Sequence, residues 1–342
     1  MSINLQAINL KTIDVKRIGK QTYGIISKQK AFIAIIVMLI AMLFSNSNFY
    51  TPLNIMNIFR TATPHLIIAF GVTLVVICRA CDLSVGSVMA LSGIIAVQMI
   101  NGGVNMYLAM LAAILAGGVV GFFNGFLVVH QKTEPFIITL GTGMLIKGVA
   151  LVLTNANPLP VTRGMLSDNF QAVSEFILIR IGKIEIPNIV VFMFVILFFT
   201  IWLMRFTSFG RNCYALGGDY DVAEYSGINV LRTKWIAFII TGLYAGIAGV
   251  LMASRMNSGS AIIGDASPLF VNCAVVIGGT SFAGGVGGPG YSFVGIMVME
   301  ILRNGMGMFG INRFIQTMIM GIVIVAIIAM DCYAIKRKKE DV

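Results

Sequence analysis

The chain has 342 residues, of which 58% are hydrophobic and only 11% are charged, and its formal net charge is +10. Soluble domains average about 45–50% apolar and about 25% charged residues. A soluble protein with this composition would have to expose large apolar patches to water. The composition therefore excludes a soluble protein and predicts an integral membrane protein with most of its mass in the bilayer.

The first thirty residues form a polar, basic segment ahead of any apolar run. The segment carries six Lys and Arg residues against a single acid, Asp14. No small-residue cleavage site follows the first apolar run promptly, so a cleaved signal peptide is not expected. We interpret residues 1–30 as a cytoplasmic segment that lies at the membrane surface.

Ten apolar runs follow, and most approach the length of about 20 residues that a membrane-spanning helix needs. They predict an all-α membrane protein whose transmembrane domain covers residues 31–333. The predicted spans are 31–50, 54–78, 84–100, 106–129, 136–154, 188–204, 235–253, 269–288, 290–310 and 314–333. An even number of spans places both termini on the same side of the membrane.

Basic residues are distributed unequally between the two sides. The basic leader, the loop 205–234 and the basic tail 334–342 all fall on the side of the termini, whereas the loop 155–187 offsets its three cations with three acids. Lys and Arg accumulate in cytoplasmic loops. The sequence therefore predicts cytoplasmic termini, a cytoplasmic loop 205–234 and an external loop 155–187.

Glycines cluster in two places. Those within 117–125 predict close packing between membrane helices. The run G-G-V-G-G-P-G at 284–290 is a poor helix and would leave backbone groups unpaired in lipid. Such backbone is tolerated where protein or a water-filled cavity surrounds it. We predict a break in the helix there, near the cytoplasmic side and at or beside a pathway.

A few ionisable residues lie within or beside the apolar runs. Asp82 is predicted to cap the helix that follows it and to pair with Arg79, or alternatively to act as a gate or pathway element. Lys147 is expected to face the bundle interior or a cavity, or to snorkel to the interface. Glu300 and Arg303 are three residues apart and are predicted to pair on one helix face.

The stretch G-G-D-Y-D-V-A-E-Y-S-G at 217–227 gathers three of the chain's 14 acids. A metal site, a docking loop and a solvated helix are the three interpretations. The first is weak, because Asp219 and Asp221 do not share a helix face and no His completes a coordination shell. We predict a short exposed helix from about residue 220, capped by Asp219 and ended at Gly227.

No motif in the chain predicts catalysis. A Walker A sequence is absent, and neither a Ser-His-Asp set nor H-E-x-x-H is evident. We expect neither enzymatic activity nor a metal or cofactor in this chain. A membrane enzyme that uses Asp219, Asp221 and Glu224 with a metal remains a weaker alternative.

Five colinear stretches carry a family resemblance. They are D-L-S-V-G-S-V-M-A-L-S-G at 82–93, P-F-I-I-T-L-G-T at 135–142, A-L-G-G-D-Y-D-V-A-E-Y-S-G-I-N-V at 215–230, T-G-L-Y-A-G-I-A-G-V-L at 241–251 and V-V-I-G-G-T-S-F-A-G-G-V-G at 275–287. Together they resemble the membrane permease subunits of bacterial ribose-type (monosaccharide) ABC importers, over roughly residues 50–330. The resemblance implies a vitamin-B12-importer-like (type II) helical fold in the bacterial plasma membrane and import of a monosaccharide such as ribose.

The resemblance also implies an assembly. Its partners would be a second permease subunit, identical or related, an ATPase subunit that holds ATP and Mg, and an extracytoplasmic sugar-binding protein; no nucleic acid is expected. The implied ATPase-coupling residues are Gly217, Gly218, Asp219, Ala223, Glu224, Ser226, Gly227 and Ile228. The family commonly has Asn where this chain has Asp219, which leaves the details of that pairing open.

Polar and small residues in the apolar runs are candidates for the translocation path or its gate. They are Asp82, Ser84, Asn124, Thr139, Asn272, Gly278, Gly279 and Thr280. Hydrogen bonding between helices is the competing interpretation of the polar ones. Other functions also stay open: a related ABC permease for autoinducer-2, nucleosides or branched-chain amino acids, and an ion-coupled secondary transporter that needs no ATPase.

Overall fold

A computed structural model describes residues 47–131, 133–162, 164–182, 184–265 and 267–325. The predicted leader 1–30, most of the first predicted span, the end of the tenth and the tail 334–342 lie outside these residues. Within them the chain is predominantly helical, as expected for an all-α membrane protein.

A short 3-10 turn, Ser47–Tyr50, precedes twelve α-helices in the described part of the chain. They are α1 (Pro52–Ile77), α2 (Val85–Asn101), α3 (Met106–His130), α4 (Pro135–Thr154), α5 (Gly164–Glu175), α6 (Asn188–Phe206), α7 (Ser208–Gly218), α8 (Tyr220–Tyr225), α9 (Val230–Met256), α10 (Ser267–Gly278), α11 (Pro289–Met308) and α12 (Arg313–Val325). The four short strands are β1 (Leu159–Pro160), β2 (Ile177–Ile181), β3 (Ile184–Pro187) and β4 (Ser258–Gly259). Strand β1 pairs with β4, and β2 pairs with β3, both antiparallel.

Five helices are long and apolar enough to cross a membrane: α1, α3, α4, α6 and α9. They confirm five of the predicted spans, although α9 begins five residues before its predicted start. The predicted spans 84–100 and 290–310 are also helical, as α2 and α11, and the span predicted from residue 314 begins as α12. The chain is a multi-pass membrane protein.

The predicted span 269–288 is wrong in its second half. Helix α10 has 12 residues, which at 1.5 Å per residue is about 18 Å, against a hydrocarbon core of about 30 Å. Gly279, Gly284, Gly285 and Gly287 all have positive φ, a conformation that ends a right-handed helix. The predicted helix break is confirmed, but it begins at Gly279 rather than at the 284–290 run.

Helix α9 lies at the centre of the fold, packed against α1, α2 and α3. Its contact with α3 is built from glycines: a Cβ on Gly117 would lie 2.5 Å from the Gly242 carbonyl oxygen, and a Cβ on Gly121 2.3 Å from the Phe238 oxygen. Because only glycine permits this approach, the close helix packing predicted for 117–125 is confirmed.

The loop 155–187 is structured rather than irregular, because it contains β1, α5 and the β2–β3 hairpin. Glu175, at the end of α5, forms ion pairs with Arg60 of α1 (3.6 Å) and Arg255 of α9 (3.4 Å). These contacts fix the loop on the N-terminal half of α1 and the C-terminal end of α9, opposite the end where α9 receives the 205–234 segment.

Candidate functional site

Helix α8 is the short helix that the sequence predicts after Gly218. Asp219 is its N-cap, and its carboxylate accepts a hydrogen bond from the backbone N–H of Val222 at 3.1 Å. The helix closes at Ser226, and Gly227 follows with φ +80°, which is the conformation that glycine favours after a helix C-terminus. The predicted cap, helix and terminating glycine are all confirmed.

One residue anchors α8 and the rest of the helix projects outward. Ala223 is buried, whereas Val222 is 61% exposed and Tyr225 is 90% exposed. Of the eight coupling candidates, Gly218, Asp219, Glu224, Ser226 and Gly227 are exposed, Ile228 is half-buried, and Gly217 and Ala223 are buried. The segment therefore presents a protruding surface with two large apolar side chains and exposed acids.

The base of this surface is joined to the rest of the fold through backbone contacts. The Arg79 guanidinium donates to the carbonyl oxygens of Gly217 (2.9 Å, from Nε) and Gly218, and the Gly285 N–H donates to the Ile77 carbonyl at 3.0 Å. The predicted pair between Arg79 and Asp82 is wrong, because the guanidinium is used on the two glycine carbonyls instead.

The glycine-rich link between α10 and α11 completes this junction. The Tyr214 hydroxyl donates to the Gly287 carbonyl at 2.9 Å, and Thr280 Oγ1 accepts from the Gly288 N–H at 3.4 Å. A Cβ on Gly278 would lie 1.9 Å from the Tyr291 carbonyl oxygen. The candidate Gly278 is therefore the last residue of α10, and Gly279 and Thr280 belong to the link that contacts α7.

The other five path candidates form one buried polar cluster, which we call the Asp82 cluster: Asp82, Ser84, Asn124, Thr139 and Asn272. The backbone N–H and the hydroxyl of Ser84 donate to Asp82 Oδ1 at 2.8 and 2.6 Å, and Asn124 Nδ2 donates to Ser84 Oγ at 2.8 Å. All five side chains are at most 3% exposed.

The Asp82 cluster joins three helices to the α1–α2 link. Thr139 Oγ1, on α4, accepts from the Leu83 N–H at 3.1 Å. Asn272 Nδ2, on α10, donates to the carbonyls of Asp82 (3.0 Å) and Pro268 (2.8 Å). The N-cap of α2 is Ser84 rather than Asp82, so the predicted capping role of Asp82 is corrected: its carboxylate organises the link ahead of the helix.

The cluster is rich in hydrogen-bond acceptors. Burial raises the pKa of Asp82 above its ordinary value, and the two hydrogen bonds from Ser84 act in the opposite direction. Among the described residues, the Oδ1 atoms of Asn124 and Asn272 are buried without a hydrogen-bond partner. Within the same residues, no group of three His, Cys, Asp or Glu side chains is placed to hold a metal ion.

For two charged residues, Lys147 and Glu300, the sequence did not identify the partner that lies nearest in the structure. Lys147 Nζ lies 2.7 Å from Asp265 Oδ1. Glu300 pairs with Arg303 at 3.8 Å, as predicted, but its nearer partner is His65 of α1 at 2.9 Å. A charge inside an apolar run signals that a partner must exist, although the signal does not identify which distant residue supplies it.

Comparisons with known proteins place this geometry in context. A family model described as the permease component of the branched-chain amino acid transport system matches residues 54–328. The ribose import permease protein RbsC of Bacillus subtilis (strain 168) is 35% identical over 309 residues, which cover 90% of this chain and 94% of that protein. The D-allose transport system permease protein AlsC of Escherichia coli (strain K12) is 34% identical over 301 residues, covering 88% and 90%.

One solved structure is similar in fold. It is an inward-facing conformation of a metal-chelate type ABC transporter, with a TM-score of 0.51 and 15% sequence identity, and the match covers 89% of this chain and 98% of that one. At this identity the likeness concerns the arrangement of helices alone.

Proposed function

This chain belongs to the family of permease components typified by the branched-chain amino acid transport system, and on that premise we propose that it is the membrane-spanning subunit of an ATP-driven importer of a monosaccharide such as ribose. A permease component is a transport subunit and not an enzyme. ATP and Mg belong to a separate ATPase chain in this proposal, and solute arrives on an extracytoplasmic binding protein.

The choice of a sugar rests on the individual relatives. The family description names amino acids, but the relatives named above are called ribose and allose permeases and align with nine-tenths of this chain. Likeness along most of the chain is more informative about the solute than a description that covers a broad family. The sugar class therefore takes precedence over amino acids, nucleosides and autoinducer-2.

The observation that carries the proposal is helix α8, a short exposed helix between two membrane-spanning helices, α6 and α9. A permease that is driven by a separate ATPase subunit needs a surface that binds this subunit and transmits its conformational change. Tyr225, which is 90% exposed, is a residue type that often carries much of the binding energy at protein interfaces, and Val222 adds exposed apolar area beside it. The predicted coupling residues 217–228 supply the rest of this docking surface.

The contacts at the base of α8 provide a route from the ATPase to the path. Movement of α8 would act on Gly217 and Gly218, which Arg79 holds against the end of α1. Arg79 is three residues from Asp82, whose main-chain carbonyl is bound by Asn272 of α10. In the proposed mechanism this link shifts the balance between outward-open and inward-open arrangements, and the Asp82 cluster acts as the gate element.

The proposal fixes the orientation of the chain in the bacterial inner membrane. Both termini and the docking surface face the cytoplasm, where the ATPase lies. The loop 155–187, stabilised by Glu175, faces outward and receives the binding protein. A second permease subunit, identical or related, completes the channel.

Reconstitution tests this function directly. The chain is expected to copurify with an ATPase subunit in nanodiscs, and proteoliposomes holding both should take up ribose or allose only with ATP and the binding protein. Ionophores that collapse proton and sodium gradients should leave uptake unchanged. Uptake that needs a gradient and no ATPase would instead establish an ion-coupled transporter.

A further inference from the structure

The ion pair between Lys147 and Asp265 lies deep in the membrane-spanning part of the fold. Helix α4 has 20 residues and is about 30 Å long, with Lys147 about 18 Å from its first residue and about 10 Å from its last. This length equals the hydrocarbon thickness of a typical bilayer. Lys147 therefore lies well inside the core, and its pairing with Asp265 at 2.7 Å holds the ammonium there.

Asp265 reaches this depth on non-helical backbone. After α9 ends, the chain passes along α2: a Cβ on Gly259 would lie 2.9 Å from Ile94 Cα, and a Cβ on Gly264 would lie 1.8 Å from the Gly86 carbonyl oxygen. Ile94 and Gly86 lie about 10 Å and about 22 Å from the last residue of α2. The segment 259–265 therefore descends into the membrane before α10 begins.

Both charged side chains are open to their surroundings. Lys147 is 40% exposed and Asp265 is 42% exposed. Lys147 lies on α4, a helix whose surface is mostly unburied. Hydrocarbon cannot solvate a charged pair or irregular backbone, and such groups occur at this depth only where they are enclosed by protein or line a water-filled cavity. The exposure excludes enclosure by the described part of this chain.

We propose that Lys147 and Asp265 line the aqueous solute path within the hydrocarbon core and hydrogen-bond the hydroxyl groups of the passing sugar. The inference rests on the proposed function and adds to it two path residues outside the predicted set. An ammonium donates hydrogen bonds and a carboxylate accepts them, so adjacent sugar hydroxyls satisfy one each. Between passages the two side chains satisfy each other.

The position of the Asp82 cluster fits this path. Gly143 of α4 packs against Ser84, whose Cα would lie 3.3 Å from a Cβ on the glycine. Gly143 and Lys147 are four residues apart and lie on the same face of α4, so the buried cluster packs about one helical turn from Lys147. A shift of the α1–α2 link would be transmitted to α4 and would change the width of the path beside Lys147.

Thiol labelling tests the location without requiring transport. Lys147→Cys and the control Phe198→Cys are compared in membrane vesicles with a membrane-impermeant methanethiosulfonate reagent, relative to the parent chain with its native cysteines. Phe198 is 65% exposed and lies near the middle of α6, where an apolar side chain faces lipid. Because the thiolate is the reactive form and needs water, the Lys147→Cys variant should react roughly tenfold faster than the Phe198→Cys variant. Equal rates would overturn the proposal.

Uptake and protection test the contact with solute. Lys147→Met and Asp265→Asn should each lower ribose or allose uptake roughly tenfold, because each removes a hydrogen bond to a charged group, while Lys147→Arg retains more uptake and Phe198→Met is unaffected. Sugar delivered by the binding protein should slow the labelling of the Lys147→Cys variant. The sugar contact would be overturned if the Lys147→Cys variant is labelled but sugar does not slow the labelling, and if the substitutions do not lower uptake. Labelling in a chain that shows no ATP-driven uptake would overturn the proposed function and leave the path location intact.

Discussion

At the residue scale, the polar side chains predicted from the apolar runs turn out to serve two different environments. The five members of the Asp82 cluster are buried and bind one another or the backbone, whereas Lys147 and Asp265 are open to their surroundings. The sequence identifies the cluster residues and Lys147 as unusual, because they are polar within or beside apolar runs, but it does not single out Asp265, which lies between two runs. Only the packing separates a side chain that holds helices together from one that is open to its surroundings.

Asn272 provides a first test of the Asp82 cluster. Asn272→Leu removes the amide that binds the Asp82 carbonyl, and a buried carbonyl left without a partner costs about 1–3 kcal/mol. We expect a clearly lower melting temperature in detergent, measured by intrinsic fluorescence. Asn169→Leu, at an exposed position on α5, is the control. Equal melting temperatures for the two variants would show that the cluster does not stabilise the fold.

Neighbouring glycines at the docking surface provide a second test. A Cβ on Gly217 would lie 1.9 Å from the Ile77 carbonyl oxygen and 2.3 Å from the Gly285 nitrogen, whereas a Cβ on Gly218 meets nothing within 4 Å. Gly217→Ala should therefore destabilise the junction by about 1–3 kcal/mol and lower ATP-driven uptake, whereas Gly218→Ala should leave the thermal stability unchanged. Thermal unfolding and vesicle uptake measure both; matching thermal stability of the pair would contradict the tight contact.

At the scale of elements, the apolar runs and helix caps predicted most helices. They failed for α10, which ends before its apolar run does. The cap and terminating glycine of α8 follow from Asp219 and Gly227 alone, because capping depends on residues within one turn. Helix α10 ends at Gly278 although the apolar run continues, because Gly278 packs against the Tyr291 backbone and the link that follows must reach α7. The hydropathy of the sequence does not predict such a tertiary contact.

The proposed coupling role of α8 can be tested with two glycines of similar conformation, one in the 205–234 segment and one in the loop 155–187. Gly227 has φ +80° and Gly182 has φ +60°, and a Cβ on either would meet nothing within 4 Å. Gly227→Arg is expected to lower sugar uptake per ATP hydrolysed roughly tenfold. A tenfold change corresponds to the loss of an interface contact worth about 1.4 kcal/mol. Gly182→Arg carries similar backbone strain in the loop 155–187 and should leave coupling unchanged.

Charge reversal at Glu224 addresses the same surface without backbone strain. Glu224→Lys should also uncouple ATP hydrolysis from uptake while the chain still inserts into the membrane. Normal coupling in both Gly227→Arg and Glu224→Lys would remove residues 217–228 as the docking site.

At the scale of the whole molecule, the family predicted from five short stretches is confirmed by the match over residues 54–328 and by full-length relatives. The multi-pass membrane architecture is confirmed by the five long apolar helices. The orientation stays a prediction, because it depends on the distribution of Lys and Arg between the loops.

Reporter fusions measure that orientation. Alkaline phosphatase joined after Gly182 should be active, because the enzyme works only outside the cytoplasm, and the same fusion after Val342 should be inactive. Green fluorescent protein should give the reverse pattern, since it fluoresces when it folds in the cytoplasm. Activity of the phosphatase at Val342 would invert the proposed topology and place α8 out of reach of an ATPase.

The sequence by itself determined the membrane class, most of the spans and the short capped helix at 220–225, because hydrophobic length and helix caps are local properties of the chain. The tertiary structure alone decided that Arg79 binds Gly217 and Gly218 rather than Asp82, that Asp82 meets Asn272 of α10, and that Lys147 meets Asp265. These partners are far apart in sequence, and their hydrogen bonds depend on the register in which whole helices pack. A buried polar group must find a partner, but only the packed fold determines which one it finds.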